Sequence, residues 1–392
     1  MTRIVEVREL AVPLRAAIRN SLIDFSKMTV SVVAVISDRK IDGRPVVGLG
    51  FNSIGRYAQT GLLRDRFIPR LLEALPDELE GARGDIDPAR VRDLLMRNEK
   101  PGGHGERSGA VAALEIAVWD LAAKLEGVPL YRLLADRYNG GNHDPRVEVY
   151  AAGGYYYPDE GIDRLLTEMR GYLDHGYTHL KMKIGGAGLD EDMQRLEAVV
   201  DLVGDGSRVG VDANGRFDLE TAVAYAERME PFGLMWYEEA GDPLDYALQA
   251  ALAEHYEPPF ATGENLFSHQ DVRNLLRHGG LRPERDFLQM DPGLSYGISE
   301  LDRMLGVLRA EGWSPRRLIP HGGHLMALHM AAGMQLGGNE SYPGIFQPFG
   351  GFGRQHEVEN GSIAISDLPG IGLEEKVELQ PALAELLDGM TS

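Results

Sequence analysis

Charged side chains recur at a nearly constant interval through the second half of this 392-residue chain. Each one ends a short, largely apolar stretch of the kind that forms a buried strand. Successive members lie roughly 26 to 30 residues apart, about the length of one strand, loop and helix in an eight-unit barrel. The series consists of Lys181 with Lys183, then Asp212, Glu238, Glu264, Asp291 and His321. Because the strand ends of such a barrel surround one pocket, this spacing predicts a barrel with a single shared site.

The N-terminal part of the chain follows another pattern, typical of a small α+β domain. Alternating apolar residues predict strands over 4–10, 30–36 and 46–50, the last two joined by the hairpin turn Asp42-Gly43. Helical periodicity follows over 62–74, 88–98 and 109–125.

The length of the chain suits a barrel with a smaller partner domain better than one ordinary domain. We therefore predict an α/β fold, a modified TIM barrel of the (β/α)7β type, over residues 131–352. An α+β capping domain is expected over residues 1–130. The segment 353–392 lacks the strand and helix rhythm and is expected to pack back on the capping domain.

The composition limits the partners and the compartment. The net charge is -20 with a pI near 5.0, and no run of Lys or Arg occurs, which argues against nucleic acid or an anionic membrane as a partner. An anionic small molecule is still a possible ligand, because local charge can oppose net charge. Cysteine is absent, so any metal must be held by oxygen or imidazole. Without a signal-like N-terminus or a long apolar span, a cytoplasmic enzyme is expected.

The two lysines of the series predict a base in the pocket. Lys181 and Lys183 are two apart on one strand, so both side chains point to the same face. Because neighbouring cations destabilise each other, we expect the pKa of at least one to fall from about 10.4 toward about 7 to 8. A solvent-facing pair at a strand edge is the alternative.

The three acidic members of the series predict a metal site. Asp212, Glu238 and Glu264 would crowd three negative charges together, which is unfavourable without a cation, and an all-oxygen set favours Mg²⁺. Each carboxylate alone could instead be a helix cap or an ion-pair partner. Glu239 should point to the other side of its strand, and Asn214 could face the site or serve as a turn residue.

Asp291 and His321 are expected on the next two strands, close enough for the carboxylate to hold one imidazole nitrogen. That contact fixes the tautomer and raises the pKa of the histidine. His324 is a rival for this role, and His321 is preferred because it directly follows residues 318–320. Glu340 follows the last strand position and is expected either to complete the ring or to be a hydrogen-bond anchor.

Together these groups suit removal of a proton next to a carboxylate. Lys183 and His321 would move protons on opposite faces of the substrate. The metal and Lys181 would neutralise the enediolate that forms.

At this point the chain resembles the enolase superfamily. Four segments carry the resemblance: Lys181-Met182-Lys183, Val211-Asp212-Ala213-Asn214, Tyr237-Glu238-Glu239 and Gly263-Glu264-Asn265. Within the superfamily the chain is more similar to the mandelate racemase group, in which an Asp supports the His, than to the muconate-lactonising relatives, which have a lysine where Asp291 stands. The resemblance implies a capped barrel and a Mg²⁺ cofactor.

Further segments resemble the D-tartrate dehydratases of that group, including residues 18–20, 98–105, 155–157, 320–324 and 338–343. The resemblance implies that Lys183 is the base at C2, that His321 protonates the departing 3-hydroxyl, and that oxaloacetate forms. It also implies substrate contacts from Asn20, Lys100, Tyr155 and Lys181. Ile54 stands where this pattern has a polar side chain facing the substrate.

Two other functions stay open from the sequence. One is a racemase or epimerase of a 2-hydroxy acid, since a Lys and a His on opposite faces can exchange a proton without elimination. The other is a metal-binding protein that has lost catalysis. We also expect a homo-oligomer.

Overall fold

A three-stranded antiparallel sheet begins the computed structural model, which describes residues 2–81, 85–157, 161–354 and 356–389. The strands are β1 (Ile4–Pro13), β2 (Thr29–Ile41) and β3 (Arg44–Phe51), in the order β1-β2-β3. Asp42 and Gly43 both have positive φ angles, 50° and 80°, as a type I′ turn requires. The three predicted strands are therefore confirmed. Within the described ranges, no helix combines the length and the apolar character needed to cross a bilayer.

Helices cover one face of this sheet. They are α1 (Thr60–Leu62), α2 (Ile68–Leu72), α3 (Pro76–Leu79), α4 (Pro88–Leu95) and α5 (Arg107–Glu126), with a π-helical turn over Leu63–Phe67. Helix α5 is buried from Ser108 to Ala123 and lies directly on β3. Helix α5 can lie this close to β3 because Gly48 has no side chain. A Cβ at this position would collide with the Ala117 carbonyl.

The barrel follows with the predicted alternation of strands and helices. Its elements are α6 (Leu130–Tyr138), β4 (Arg146–Gly153), α7 (Gly161–Asp174), β5 (Leu180–Lys183), α8 (Leu189–Val203), β6 (Val209–Asp212), α9 (Leu219–Met229), β7 (Trp236–Glu238), α10 (Tyr246–Ala253), β8 (Phe260–Thr262), α11 (His269–His278), β9 (Phe287–Leu288), α12 (Ile298–Ala310), α13 (Leu325–Gly333) and β10 (Asn339–Ser341).

Parallel pairing closes these strands into a (β/α)7β barrel. Strands β4 to β9 pair in sequence order, and β10 pairs with β4. The seventh strand is reduced to Leu318, which forms a bridge with Leu288 and accepts a hydrogen bond from the Gly337 N–H at 2.8 Å. The predicted fold class, a modified TIM barrel with an α+β capping domain, is confirmed.

The C-terminal segment contacts both parts of the molecule. It contains β11 (Val358–Glu359), β12 (Ser362–Ala364) and α14 (Gln380–Leu386). Strand β12 pairs antiparallel with β4 of the barrel, and the Arg8 guanidinium of β1 donates to the carbonyl of Asp388 at 2.7 Å. The segment therefore extends the barrel sheet before it reaches the capping region. The predicted domain boundaries stay a prediction.

Candidate active site

Three carboxylates meet at the carboxyl ends of β6, β7 and β8. Asp212 is in register with both Lys183 and Glu238 on the neighbouring strands, and Glu264 lies two residues beyond β8. Ligand oxygens of Asp212, Glu238 and Glu264, here called the carboxylate cluster, lie within 4.8 Å of one another. Asp212 and Glu238 are fully buried. Three anions so close repel one another, so the cluster fits a hard divalent cation bound by oxygen.

Lys181 lies beneath the cluster, surrounded by carboxylates. Its Nζ is 2.6 Å from Glu238 Oε1, 2.8 Å from Glu340 Oε1 and 3.5 Å from Asp212 Oδ2. Burial alone would lower the pKa of Lys181, but Glu238 and Glu340 outweigh burial and raise it well above its usual value. Lys181 is therefore an electrostatic partner of the cluster, and it does not line the cavity above.

Lys183 forms an ion pair with Asp212, and its Nζ lies 5.3 Å from the centre of the Tyr155 ring. Burial would lower the pKa of Lys183, but the Asp212 carboxylate raises it above its usual value. The predicted fall in a lysine pKa is therefore wrong for this structure. Repulsion between the two lysines is real but smaller than their attraction to the adjacent carboxylates, which the prediction left out.

His321 lies against Asp291 as predicted. Its Nδ1 is 2.9 Å from Asp291 Oδ2, while Nε2 is 3.0 Å from the Tyr342 hydroxyl and 3.5 Å from Glu264 Oε2. Burial opposes protonation, but Glu264, Glu340 and Asp291 together raise the pKa of His321 to about 10. The imidazole is thus held from one side by a carboxylate and presents Nε2 toward the cavity.

His324, the rival of His321, serves a different purpose. Its Nδ1 accepts the Ala327 N–H at 3.3 Å and caps the N-terminus of α13. Because Nδ1 accepts, Nε2 carries the ring proton and donates to Ser53 Oγ at 3.1 Å. Burial lowers the pKa of His324 to about 4, so the ring is neutral. This geometry places His324 in a helix cap that joins the barrel to the capping region.

A cavity of about 250 Å³ lies above the carboxylate cluster. Lys183, Glu264 and His321 line it from the barrel, and Asn20 and Ile54 line it from the capping region. A second cavity, of about 640 Å³, opens at the opposite end of the barrel and contains none of the predicted site residues.

The remaining polar residues near the cluster differ in what they face. Glu340 accepts the Gly322 N–H at 2.9 Å and pairs with Lys181, so it anchors the ring from below and does not line the cavity. Asn214 is both a turn residue, with φ of 52°, and a cavity residue. Its amide donates to Asp212 Oδ2 at 3.2 Å, and its Oδ1 is buried with no hydrogen-bond partner among the described residues.

The expectation for Glu239 is wrong. Alternation along a strand predicts that it points away from the site, but it lines the cavity. Its φ of 39° ends the strand geometry directly after Glu238 and turns the chain back. The Asn265 amide, next to Glu264, donates to Glu239 Oε1 at 2.9 Å.

Of the predicted substrate contacts Asn20, Tyr155 and Lys100, two lie at the cavity and one does not. Asn20 and Tyr155 both line the cavity. The Asn20 side-chain oxygen accepts the Leu22 and Ile23 N–H groups, which fixes its loop. Lys100 is exposed and does not line the cavity. Its carbonyl accepts a hydrogen bond from the Arg107 guanidinium at 2.8 Å on the loop before α5. Its substrate contact stays a prediction.

Comparison with known proteins adds the family. The family model described as enolase C-terminal domain-like matches residues 164–379. The chain belongs to the enolase superfamily. An L-talarate/galactarate dehydratase of Salmonella typhimurium is 31% identical over 347 residues, which cover 88% of this chain and 81% of that protein. An arabinonate dehydratase of Saccharolobus solfataricus is 30% identical, covering 69% of this chain and 71% of that protein.

Solved structures of other enolase-superfamily proteins are similar over nearly the whole chain. An L-talarate dehydratase from Polaromonas sp. JS666, complexed with Mg and L-glucarate, has a TM-score of 0.74 at 25% identity. The match covers 97% of each chain. The similarity therefore extends over the capping region as well as the barrel.

The cavity residues of this enolase-superfamily chain that were not predicted from the sequence include Tyr342 and Arg56. Tyr342 contacts His321, and Arg56 lines the cavity from the loop after β3. Tyr342 lies in a segment that carried the resemblance, whereas Arg56 lies two residues after Ile54, where the chain departs from the pattern. The signal for Tyr342 was its position directly after the closing strand β10, two residues beyond Glu340.

Proposed function

We propose that this protein is a Mg²⁺-dependent dehydratase of a hydroxy-diacid or acid sugar, acting on D-tartrate to give oxaloacetate. The observation that carries the proposal is the shared cavity, which places Lys183 and the Asp291-held His321 beside one carboxylate cluster. The relatives named as dehydratases of talarate, galactarate and arabinonate support the reaction class.

Asp212, Glu238 and Glu264 are the residues that would hold the metal. Bound there, Mg²⁺ supplies positive charge for the substrate carboxylate whose α-carbon loses a proton. Lys181 adds a fixed positive charge below the same point, since its Nζ lies within ion-pair distance of three carboxylates. If Asp212 served as a metal ligand, Lys183 would lose its main anionic partner, and its pKa would fall toward that of a base.

The proton transfers follow from the positions of two side chains. Lys183 Nζ takes the proton from the α-carbon of the substrate. His321 Nε2 gives its proton to the β-hydroxyl, the carbon–oxygen bond breaks, and water leaves. The remaining enol becomes the keto acid in solution or in the cavity. Asp291 keeps Nδ1 protonated throughout, so Nε2 is the nitrogen that exchanges.

D-tartrate is proposed from the resemblance of the cavity segments and from the size of the cavity. A volume of about 250 Å³ accommodates a four-carbon diacid, and larger acid sugars are the competing substrates. Ile54 is buried and lines the cavity, so it offers apolar contact where a polar group was expected.

Turnover of a panel of acids in D₂O tests the proposal. The panel contains the three tartrate stereoisomers and galactarate, with Mg²⁺ present, and proton NMR follows both keto product and α-deuteration of the recovered substrate. We expect keto product from D-tartrate and none after chelation of the metal. Deuterated substrate without keto product would select the racemase or epimerase, and Mg²⁺ binding without either would select the inactive metal-binding protein.

A further inference from the structure

Besides Lys183 of the barrel, the cavity is lined by a cation of the capping region, Arg56. Arg56 lies in the loop that follows β3, and its Nη2 donates to the side-chain oxygen of Asn265 at 2.8 Å. The guanidinium carbon lies 5.3 Å from the centre of the Phe267 ring. These two contacts fix the position of the group against the loop after β8. Asn265 and Phe267 are both uncharged.

The lysines near the cavity are either paired with carboxylates or lie outside the cavity. Lys181 is paired with Glu238 and Glu340 and lies below the cavity, and Lys183 is paired with Asp212. Lys100 is exposed outside the cavity. Among the cavity-lining residues that the structure describes, Arg56 is thus a permanent cation with no carboxylate within ion-pair distance.

We propose that Arg56 binds the second carboxylate of a dicarboxylate substrate, the one that is not held at the carboxylate cluster. This inference rests on the proposed function. A guanidinium carries five N–H donors in a planar fork that matches a carboxylate, and Asn265 uses only one of them. Because Asn265 and Phe267 already hold the side chain, little rotamer freedom is lost when the substrate binds.

Ile54 strengthens this assignment. It lies on the same loop and lines the same cavity, but its side chain offers no hydrogen bond. The polar contact that this loop can give to a substrate comes from Arg56.

A matched pair of substrates distinguishes binding of the second carboxylate by Arg56 from a general effect of Arg56 on activity. D-tartrate and D-threonate have the same configuration and differ only in that one carboxylate is replaced by a hydroxymethyl group. We expect Arg56→Gln to lower kcat/KM for D-tartrate about 100-fold, mainly through KM, and to change the value for D-threonate by less than about 3-fold. Lys40→Gln also removes one positive charge, from an exposed position on β2 that does not line the cavity, so this matched control should keep the wild-type preference.

Three results would overturn the inference. The first is an unchanged preference for D-tartrate in Arg56→Gln. The second is an equal loss on both substrates, because Arg56 would then act through Asn265 on the carboxylate cluster; a Mg²⁺ titration of the variant reads out that effect directly. The third is a loss of preference in Lys40→Gln.

Failure of the proposed function gives a different pattern. If the wild-type protein dehydrates no diacid, the proposed activity is wrong. Calorimetric titration of the Mg²⁺-loaded protein with D-tartrate and D-threonate then tests the inference alone. Binding of D-tartrate that is about 100-fold weaker in Arg56→Gln supports it, and equal binding in both proteins contradicts it. Circular dichroism of each variant checks that the fold is retained.

Discussion

The floor and the rim of the cavity are built in different ways. The floor consists of Lys183, Asp212, Glu238, Glu264 and His321, at the ends of barrel strands. Each of these charges faces an opposite charge or a hydrogen-bond partner at close range. The rim consists of Asn20, Ile54 and Arg56, on loops of the capping region. The fixed scaffold therefore sets the chemistry, whereas the loops on it select the substrate.

The floor and the rim also differ in how strongly their charges interact. The floor residues are buried and strongly coupled, so removing one changes the protonation of the others. On the rim, Arg56 is held by one hydrogen bond and one ring contact, so its removal should change binding and leave the proton transfers intact.

The largest effect is expected from Lys183→Ala on the floor. Loss of the base should lower dehydration by about 10³- to 10⁴-fold and abolish deuterium exchange at the α-carbon as well. Proton NMR in D₂O measures both. Normal dehydration by this variant would contradict the assignment of the base, provided that Mg²⁺ titration and circular dichroism match the wild-type protein.

His321→Asn should separate the two proton transfers. The amide can still contact Asp291, but it cannot supply a proton, so elimination should fall about 10³-fold. Exchange at the α-carbon should persist, since Lys183 is intact. The same NMR experiment gives both rates. A parallel loss of exchange would mean that His321 is needed before the α-proton leaves.

The junction between floor and rim is expected to respond to pH. Burial lowers the pKa of His324 to about 4, compared with about 6.5 when unfolded, so the folded state favours the neutral ring. This contribution is present above pH 6.5 and is lost as the pH falls toward 4, on the order of 3 kcal/mol in all. His324→Asn keeps an N-cap but cannot titrate. Denaturant unfolding at several pH values should show a shallower acid loss in the variant, and identical pH dependence would refute this.

Tyr342→Phe should have the smallest of these effects. It removes the hydroxyl that lies 3.0 Å from His321 Nε2 and keeps the ring that packs edge-on against Phe346 at 4.8 Å. We expect elimination to fall about 10-fold, the cost of one hydrogen bond that orients the imidazole, with exchange unchanged. Steady-state kinetics and exchange rates, measured on one preparation, check the split. An equal fall in both rates would indicate general disorder of the site.

The floor could be predicted from the sequence because strand register leaves little freedom. Asp212 and Glu238 follow strands of nearly equal length, so their spacing alone places them side by side. Side chains two residues apart on a strand point to the same face, which also explains why Lys181 and Lys183 could be predicted as a pair. Their pKa values were predicted wrongly because the effect of buried counter-charges depends on distances of a few ångströms, which spacing does not give.

The rim could not be predicted in the same way. Whether Lys100 or Arg56 reaches the cavity depends on loop conformation and on single contacts such as the one from Arg56 to Asn265. Glu239 was misplaced for a related reason, since one positive φ angle at the strand end reverses the direction that alternation predicts. The role of His324 could have been predicted in part, because its position directly before an apolar helix is typical of an N-cap residue.

Proton NMR of the purified protein with D-tartrate in D₂O, with and without Mg²⁺, tests the central claim most directly. We expect Mg²⁺-dependent formation of oxaloacetate by the wild-type protein and neither product nor α-deuteration with Lys183→Ala. Oxaloacetate formed after complete removal of the metal, or formed at the wild-type rate by Lys183→Ala, would contradict it.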